Sequence, residues 1–387
     1  MNIREMDQTY VANTYGRFDL TLSEGKGSIL KDDAGKTYID LGTGIAVNIF
    51  GVADEVWQQA VMKQMSMLPH ACNLYYTAPQ AELAKLLCEK TGMKKVFFGN
   101  SGAEANECAI KVARKYAYDT KGEESPVIVT LNNSFHGRTI TTLSATGQES
   151  FHKYFGPFTQ GFVYVDPDDF TQTEAALENP KVCAVMLEMV QGEGGIHVLN
   201  KDYVQKVAAL CKEKGVLLMV DEVQSGNGRT GELYAYMHYG ISPDVVSTAK
   251  GLGGGLPIGA CMMNEKTAGV LSSGTHGSTF GGNPICAAGA LSIVKRLDDT
   301  LLKSVREKGN YIVETLKNAP GVKSISGLGL MLGIETEKPA KEVVAACQYK
   351  GVLVLTAKQK VRLLPALNIP MDLLIQGIEI LKEAVQQ

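Results

Sequence analysis

Val216-Leu217-Leu218-Met219-Val220-Asp221-Glu222 is an unbroken apolar run that ends on two acids. A strand this uniformly apolar is buried on both faces, which is the condition of a parallel sheet covered by helices. Tyr203 to Lys214, just before it, has helical spacing, with Val204, Val207, Ala208 and Cys211 on one face. Working outward, Lys95 to Phe98, Val127 to Leu131, Cys183 to Leu187, Val245 to Thr248 and Ile258 to Met263 read as further buried strands. A helix from Ala103 to about Tyr118 follows the first of them. Short apolar strands alternating with helices predict an α/β fold with a mostly parallel sheet.

In open parallel sheets, ligands bind beyond the carboxyl ends of the strands, so those ends carry the chemistry. A carboxylate at Asp221 there could hold a protonated ring nitrogen, bind a metal or cap the next helix. Gly99-Asn100-Ser101-Gly102-Ala103-Glu104 joins a strand to a helix. A helix N-terminus exposes free N–H groups and suits a phosphate, although a plain cap reads the same way. Asp244-Val245-Val246-Ser247-Thr248-Ala249-Lys250-Gly251-Leu252-Gly253-Gly254-Gly255 places a lysine between a buried strand and a glycine-rich loop. A lysine held in such a pocket can lose its proton and act as a nucleophile. The loop lacks the Gly-x-Gly-x-x-Gly spacing of a dinucleotide fingerprint.

Phe135-His136-Gly137-Arg138 brings together an aromatic face, an imidazole and a guanidinium suited to a carboxylate. His136 has no metal-ligand partner by spacing. Gly277-Ser278-Thr279-Phe280-Gly281-Gly282-Asn283-Pro284 offers hydroxyls and N–H groups before a helix, and it also reads as a cap at Asn283 with Pro284 in the first turn. Two long helical patterns follow, near Pro284–Leu297 and Leu301–Lys317, and a helix near Met371–Val385 closes the chain.

The 387 residues can bury a large core. With 45% hydrophobic and 20% charged residues the composition is globular, and a net charge of -3 points to neither nucleic acid nor a membrane surface. No uncharged run is long enough to span a bilayer. Met1 to Asp7 lacks the apolar core of a secretory signal. The eight cysteines are scattered without a Cys-x-x-Cys pair, which fits reduced thiols in a cytoplasm better than zinc or disulfides.

Taken in order, six stretches resemble the class III pyridoxal-phosphate (PLP) aminotransferases over nearly the whole chain. They are Asn100–Asn106, Phe135–Arg138, Gln191–Gly195, Asp221–Gly231, Lys250–Gly255 and Gly277–Asn283. Within the family, His70–Thr77 resembles the bacterial acetylornithine branch. The resemblance implies a fold-type I PLP-transferase: a large domain with a mostly parallel seven-stranded sheet, and a smaller α/β domain built from both chain ends. The expected boundaries are 1–50 packing with the small domain, 51–280 binding the cofactor, and 281–387 forming the small domain.

The resemblance also implies roles. Lys250 would bond the cofactor and shuttle the proton, and Asp221 would hold the ring nitrogen. Gln224 would bind the ring hydroxyl, with Phe135 and Val223 on the two ring faces. Ser101, Gly102 and Ala103 would bind the phosphate, joined by Thr279 from the partner of a homodimer. Arg138 would grip a substrate carboxylate, Glu193 and Arg362 would form a switch pair, and Tyr15, Asn73 and Ser278 would complete the substrate site. The chain departs from the family pattern at Gly51-Val52-Ala53-Asp54, Met189, Ser225 and Ala366 without losing any of these groups. The implied reaction is amine transfer from N2-acetylornithine to 2-oxoglutarate. Ornithine, succinylornithine or 4-aminobutyrate are alternative donors, and a nicotinamide-dependent dehydrogenase is the alternative of a different class.

Overall fold

The strand before the two acids, β5 (Leu217–Asp221), is buried at every residue and lies at the centre of a seven-stranded sheet. The other members are β1 (Lys95–Gly99), β2 (Val127–Leu131), β3 (Phe162–Val165), β4 (Val182–Leu187), β6 (Val245–Thr248) and β7 (Gly259–Met263). Their order is β1-β7-β6-β5-β4-β2-β3. All neighbours pair in parallel except β7, which runs antiparallel to both β6 and β1. The structure is a computed structural model that describes residues 1–386; Gln387, the last residue of the expected small domain, lies outside the described residues.

Six of these strands are those expected from the sequence, each within a residue or two. The seventh, β3, is the outer strand, with only Val165 buried. Its sequence, Phe162-Val163-Tyr164-Val165, is nonetheless an apolar run, one not singled out among the expected strands.

Helix α1 (Gly102–Lys121) follows β1 directly. Ser101 caps it by accepting the Glu104 N–H at 3.2 Å, and Gly122 ends it in the left-handed region. Its buried face is made of small residues, Ala105, Cys108, Ala109 and Ala113 among them, which lets it lie close on β7, β6 and β1. The sheet's other face is packed by the larger apolar cluster that includes Val204 and Val207 of α2 (Lys201–Lys214).

The chain ends meet each other. Thr37–Asp40 pairs in parallel with Val352–Leu353, and the Leu364 N–H donates to Leu41 O at 2.7 Å. A separate antiparallel sheet contains Met331–Thr336 and Lys360–Leu363, in register at Gly333 and Arg362. This pairing carries Arg362 toward the large sheet. No described helix is long and apolar enough to cross a membrane. All eight cysteines are free, and six of them are buried.

Candidate active site

The carboxyl ends of β1, β2, β4, β5 and β6 converge on a cavity of about 460 Å³. Its wall includes Ser101, Gly102 and Ala103 from the start of α1, then Phe135 and Arg138 from the loop after β2. Glu188 follows β4; Asp221, Val223 and Gln224 end β5; Lys250 follows β6. Nine of the residues expected from the sequence are thus brought together. The approach is close at Gly102, where an added Cβ would lie 2.6 Å from Val223 Cγ1. That glycine lets the first turn of α1 sit directly beside the end of β5.

Asp221 is buried and held from three sides. Its Oδ2 accepts from Asn106 Nδ2 at 2.7 Å and from His136 Nδ1 at 2.8 Å, and its Oδ1 accepts the Val223 N–H at 2.9 Å. A carboxylate offers about four acceptor positions, so one remains, on Oδ1. Neither Asn106 nor His136 was assigned a role from the sequence. For Asn106 the available signal was an amide on the buried, otherwise apolar face of an amphipathic helix. For His136 it was the motif itself, which the sequence reading gave to a loop without naming its partner.

Lys250 is half-buried on the cavity wall and takes a left-handed backbone, with φ +47°. Burial lowers its ammonium below the usual lysine range, while Glu193 and Asp221 oppose that shift. Asn227 braces the approach to it, donating to Thr248 Oγ1 at 2.9 Å and to Ala249 O at 3.2 Å. A strained residue clamped by its neighbours marks a position fixed by the surrounding structure.

Behind this lysine lies a polar triad. Arg362 Nη1 donates to Glu193 Oε1 at 2.6 Å and to Gln224 Oε1 at 3.2 Å, and Gln224 Nε2 donates to Glu193 at 3.2 Å. Burial raises the Glu193 carboxyl, but the Arg362 charge and hydrogen bond, with Lys250 and Gln224, together outweigh it and the net shift is downward. Glu188 goes the other way: burial and the nearby Asp221 hold its acid well above the usual range. Its Oε2 accepts the Phe135 N–H at 2.8 Å and so fixes the backbone of that aromatic residue. Arg138 is exposed at the rim, its guanidinium 4.1 Å above the Phe151 ring.

The remaining expected residues lie off the cavity wall. Ser278 and Asn73 are linked to each other, with Asn73 Nδ2 donating to Ser278 O at 3.2 Å, and Asn100 Nδ2 donates to Ser278 Oγ at 3.2 Å. Thr279 is exposed on the same loop. Tyr15 sits on the N-terminal segment, 70% exposed, against Arg17. Among the described residues no group of three His, Cys, Asp or Glu side chains could hold a metal ion.

The family model for class III aminotransferases matches residues 10–385. The chain is 47% identical over its whole length to the acetylornithine aminotransferase of Haemophilus ducreyi, covering 98% of that protein. It is 43% identical to the acetylornithine aminotransferase of Methanocaldococcus jannaschii, covering 97% of this chain and 96% of that one. Among solved structures, the ornithine aminotransferase of Toxoplasma gondii, with PLP at partial occupancy in its active site, is similar at 32% identity and a TM-score of 0.94, covering 99% of this chain and 93% of that one. The N-acetylornithine aminotransferase of Stenotrophomonas maltophilia is similar at 33% identity and a TM-score of 0.82, covering 98% of each.

Proposed function

Because the chain belongs to the class III aminotransferases, we propose that it moves the δ-amino group of N2-acetylornithine to 2-oxoglutarate with PLP. The products are N-acetylglutamate 5-semialdehyde and glutamate, an arginine-biosynthetic step. The observation that carries the reading is the cavity that joins Lys250, the braced Asp221 and the N-terminus of α1. These residues fit PLP: an amine whose charge burial disfavours, one open carboxylate acceptor position, and free N–H groups at a helix start.

PLP supplies an aldehyde that takes up the donor's amine and a ring that accepts electrons from the neighbouring carbon. Lys250 Nζ would hold the cofactor and would move the proton at the donor's δ-carbon. Its lowered affinity for a proton favours the free amine that a general base needs. Asp221 Oδ1 would hold the proton on the ring nitrogen. Gln224 would bind the ring hydroxyl, and Phe135 and Val223 would cover the ring faces. Ser101, Gly102 and Ala103 would bind the phosphate.

Glu193 neutralises Arg362 while the donor is bound. When it turns away, Arg362 is free for a carboxylate of 2-oxoglutarate. Arg138, Tyr15, Asn73 and Ser278 are assigned to substrate contacts. Residues 51–280 are assigned to the cofactor-binding domain, with 1–50 and 281–387 forming the smaller one.

A homodimer accompanies this reading. The helix Ile3–Tyr10 buries nothing in its own chain, and Leu74, Tyr75, Tyr76 and Phe280 are exposed beside the Ser278–Thr279 loop. A second copy of the chain would cover this face and bring Thr279 to the partner's phosphate site. A cytoplasmic location is assigned with the activity.

Steady-state rates with N2-acetylornithine, ornithine, succinylornithine and 4-aminobutyrate, each with 2-oxoglutarate, test the donor. N2-acetylornithine is expected to give the highest kcat/KM. A higher value with any other donor would move the assignment to that substrate, and turnover without 2-oxoglutarate would remove the transfer reaction.

A further inference from the structure

Asn106 stands as an amide among the buried, mostly apolar residues of α1. Its Nδ2 donates twice, to Asp221 Oδ2 at 2.7 Å and to His136 O at 2.8 Å. Both partners are acceptors, so only one amide orientation is possible; the flipped one would set oxygen against oxygen. Its own Oδ1 is buried without a partner. An unpaired buried acceptor costs stability that an apolar side chain of similar shape would not. Packing alone therefore does not account for an asparagine here, whereas its two donations do.

We propose that Asn106 is a positioning residue for the amine-transfer reaction, tying Asp221 and the Phe135–Arg138 loop to the helix whose first turn binds the cofactor phosphate. This rests on the function proposed above. Asn106 lies four residues beyond Gly102, about 6 Å along the helix axis at ~1.5 Å per residue. A rigid helix thus sets the separation between the phosphate contacts and the carboxylate that meets the ring nitrogen. Without Asn106, Oδ2 keeps only His136, and the carboxylate is free to turn its open Oδ1 position away. The second donation steadies His136 O, and with it the loop bearing Phe135 and Arg138.

The test uses Asn106→Leu, close to isosteric and free of the orphan acceptor, with Asn106→Ala as a second variant should the first fold poorly. The apo-protein is titrated with PLP to obtain a dissociation constant, the visible spectrum of the loaded protein is recorded, and kcat and KM are measured separately. Loss of a hydrogen bond to a charged group predicts PLP affinity and kcat each reduced by about 10- to 100-fold. The spectrum should change as well, because Asn106 reaches the carboxylate proposed to meet the ring nitrogen. Variants that bind PLP, absorb and turn over as the wild type does, whatever their melting temperature, would overturn the positioning role alone. A wild-type chain that binds no PLP would remove the functional reading itself and this proposal with it.

Discussion

At the residue scale, the account rests on Lys250 and on the pair Glu193–Arg362. Lys250→Ala removes the one lysine that lines the cavity without opening the core, so the circular dichroism should remain that of the wild type. Turnover should fall by at least about 10³-fold, the scale of a lost general base. Residual activity near the wild-type level would remove Lys250 from the mechanism.

Glu193→Gln tests the switch. Arg362 is almost fully buried, and an acid beside it is what keeps its charge from seeking another carboxylate. With the acid gone, kcat/KM for glutamate as donor should rise relative to N2-acetylornithine by about tenfold, which is ~1.4 kcal/mol of changed preference. An unchanged ratio would mean that Glu193 does not gate Arg362.

Lys250 was legible from its place between a buried strand and a glycine-rich loop, whereas Glu193 and Arg362 came only from the family resemblance. The sequence did not make the supports of the site legible. Asn106 and Glu188 act through contacts with Asp221 and Phe135, which lie 115 and 53 positions away in the chain. Periodicity along one segment carries no trace of such a contact.

At the scale of elements, the loop after β5 holds a second buried acid, Glu222, that never faces the cavity. It accepts Ser225 Oγ at 2.6 Å and the Tyr236 N–H at 2.8 Å. Burial nevertheless pushes its acid up to about 7. A raised acid binds its proton more tightly in the folded chain than in the unfolded one. Its contribution is present in full below the ordinary glutamate range and is lost as pH rises through about 7. The melting-temperature difference between Glu222→Gln and wild type should therefore shift in the variant's favour between about pH 5 and about pH 8, by up to roughly 3 kcal/mol of stability. A difference that stays constant with pH would show that Glu222 is ionised throughout. The inner strands were readable because burial on both faces leaves a continuous apolar run, as in β4 and β5. The edge strand β3, Phe162-Val163-Tyr164-Val165, carries an equally apolar run but is only four residues long, and its pairing with β2 is what identifies it.

At the scale of the whole molecule, the proposed homodimer rests on the exposed apolar face. Leu74, 90% exposed, and Phe280 adjoin the loop that reaches Asn100 just before α1. A patch of this kind on a folded chain marks an interface. Sedimentation should give twice the chain mass for the wild type, and Leu74→Asp combined with Phe280→Asp should dissociate it and lower activity with it. A fully active monomer would separate the site from the assembly.

The central claim, that this cavity takes an amine from N2-acetylornithine onto PLP, is tested most directly by titrating the PLP-loaded protein with that donor alone and following its visible absorption. The account predicts a visible band that disappears on addition of N2-acetylornithine and returns on addition of 2-oxoglutarate. A band indifferent to N2-acetylornithine, or a protein that takes up PLP without any visible band, would contradict it.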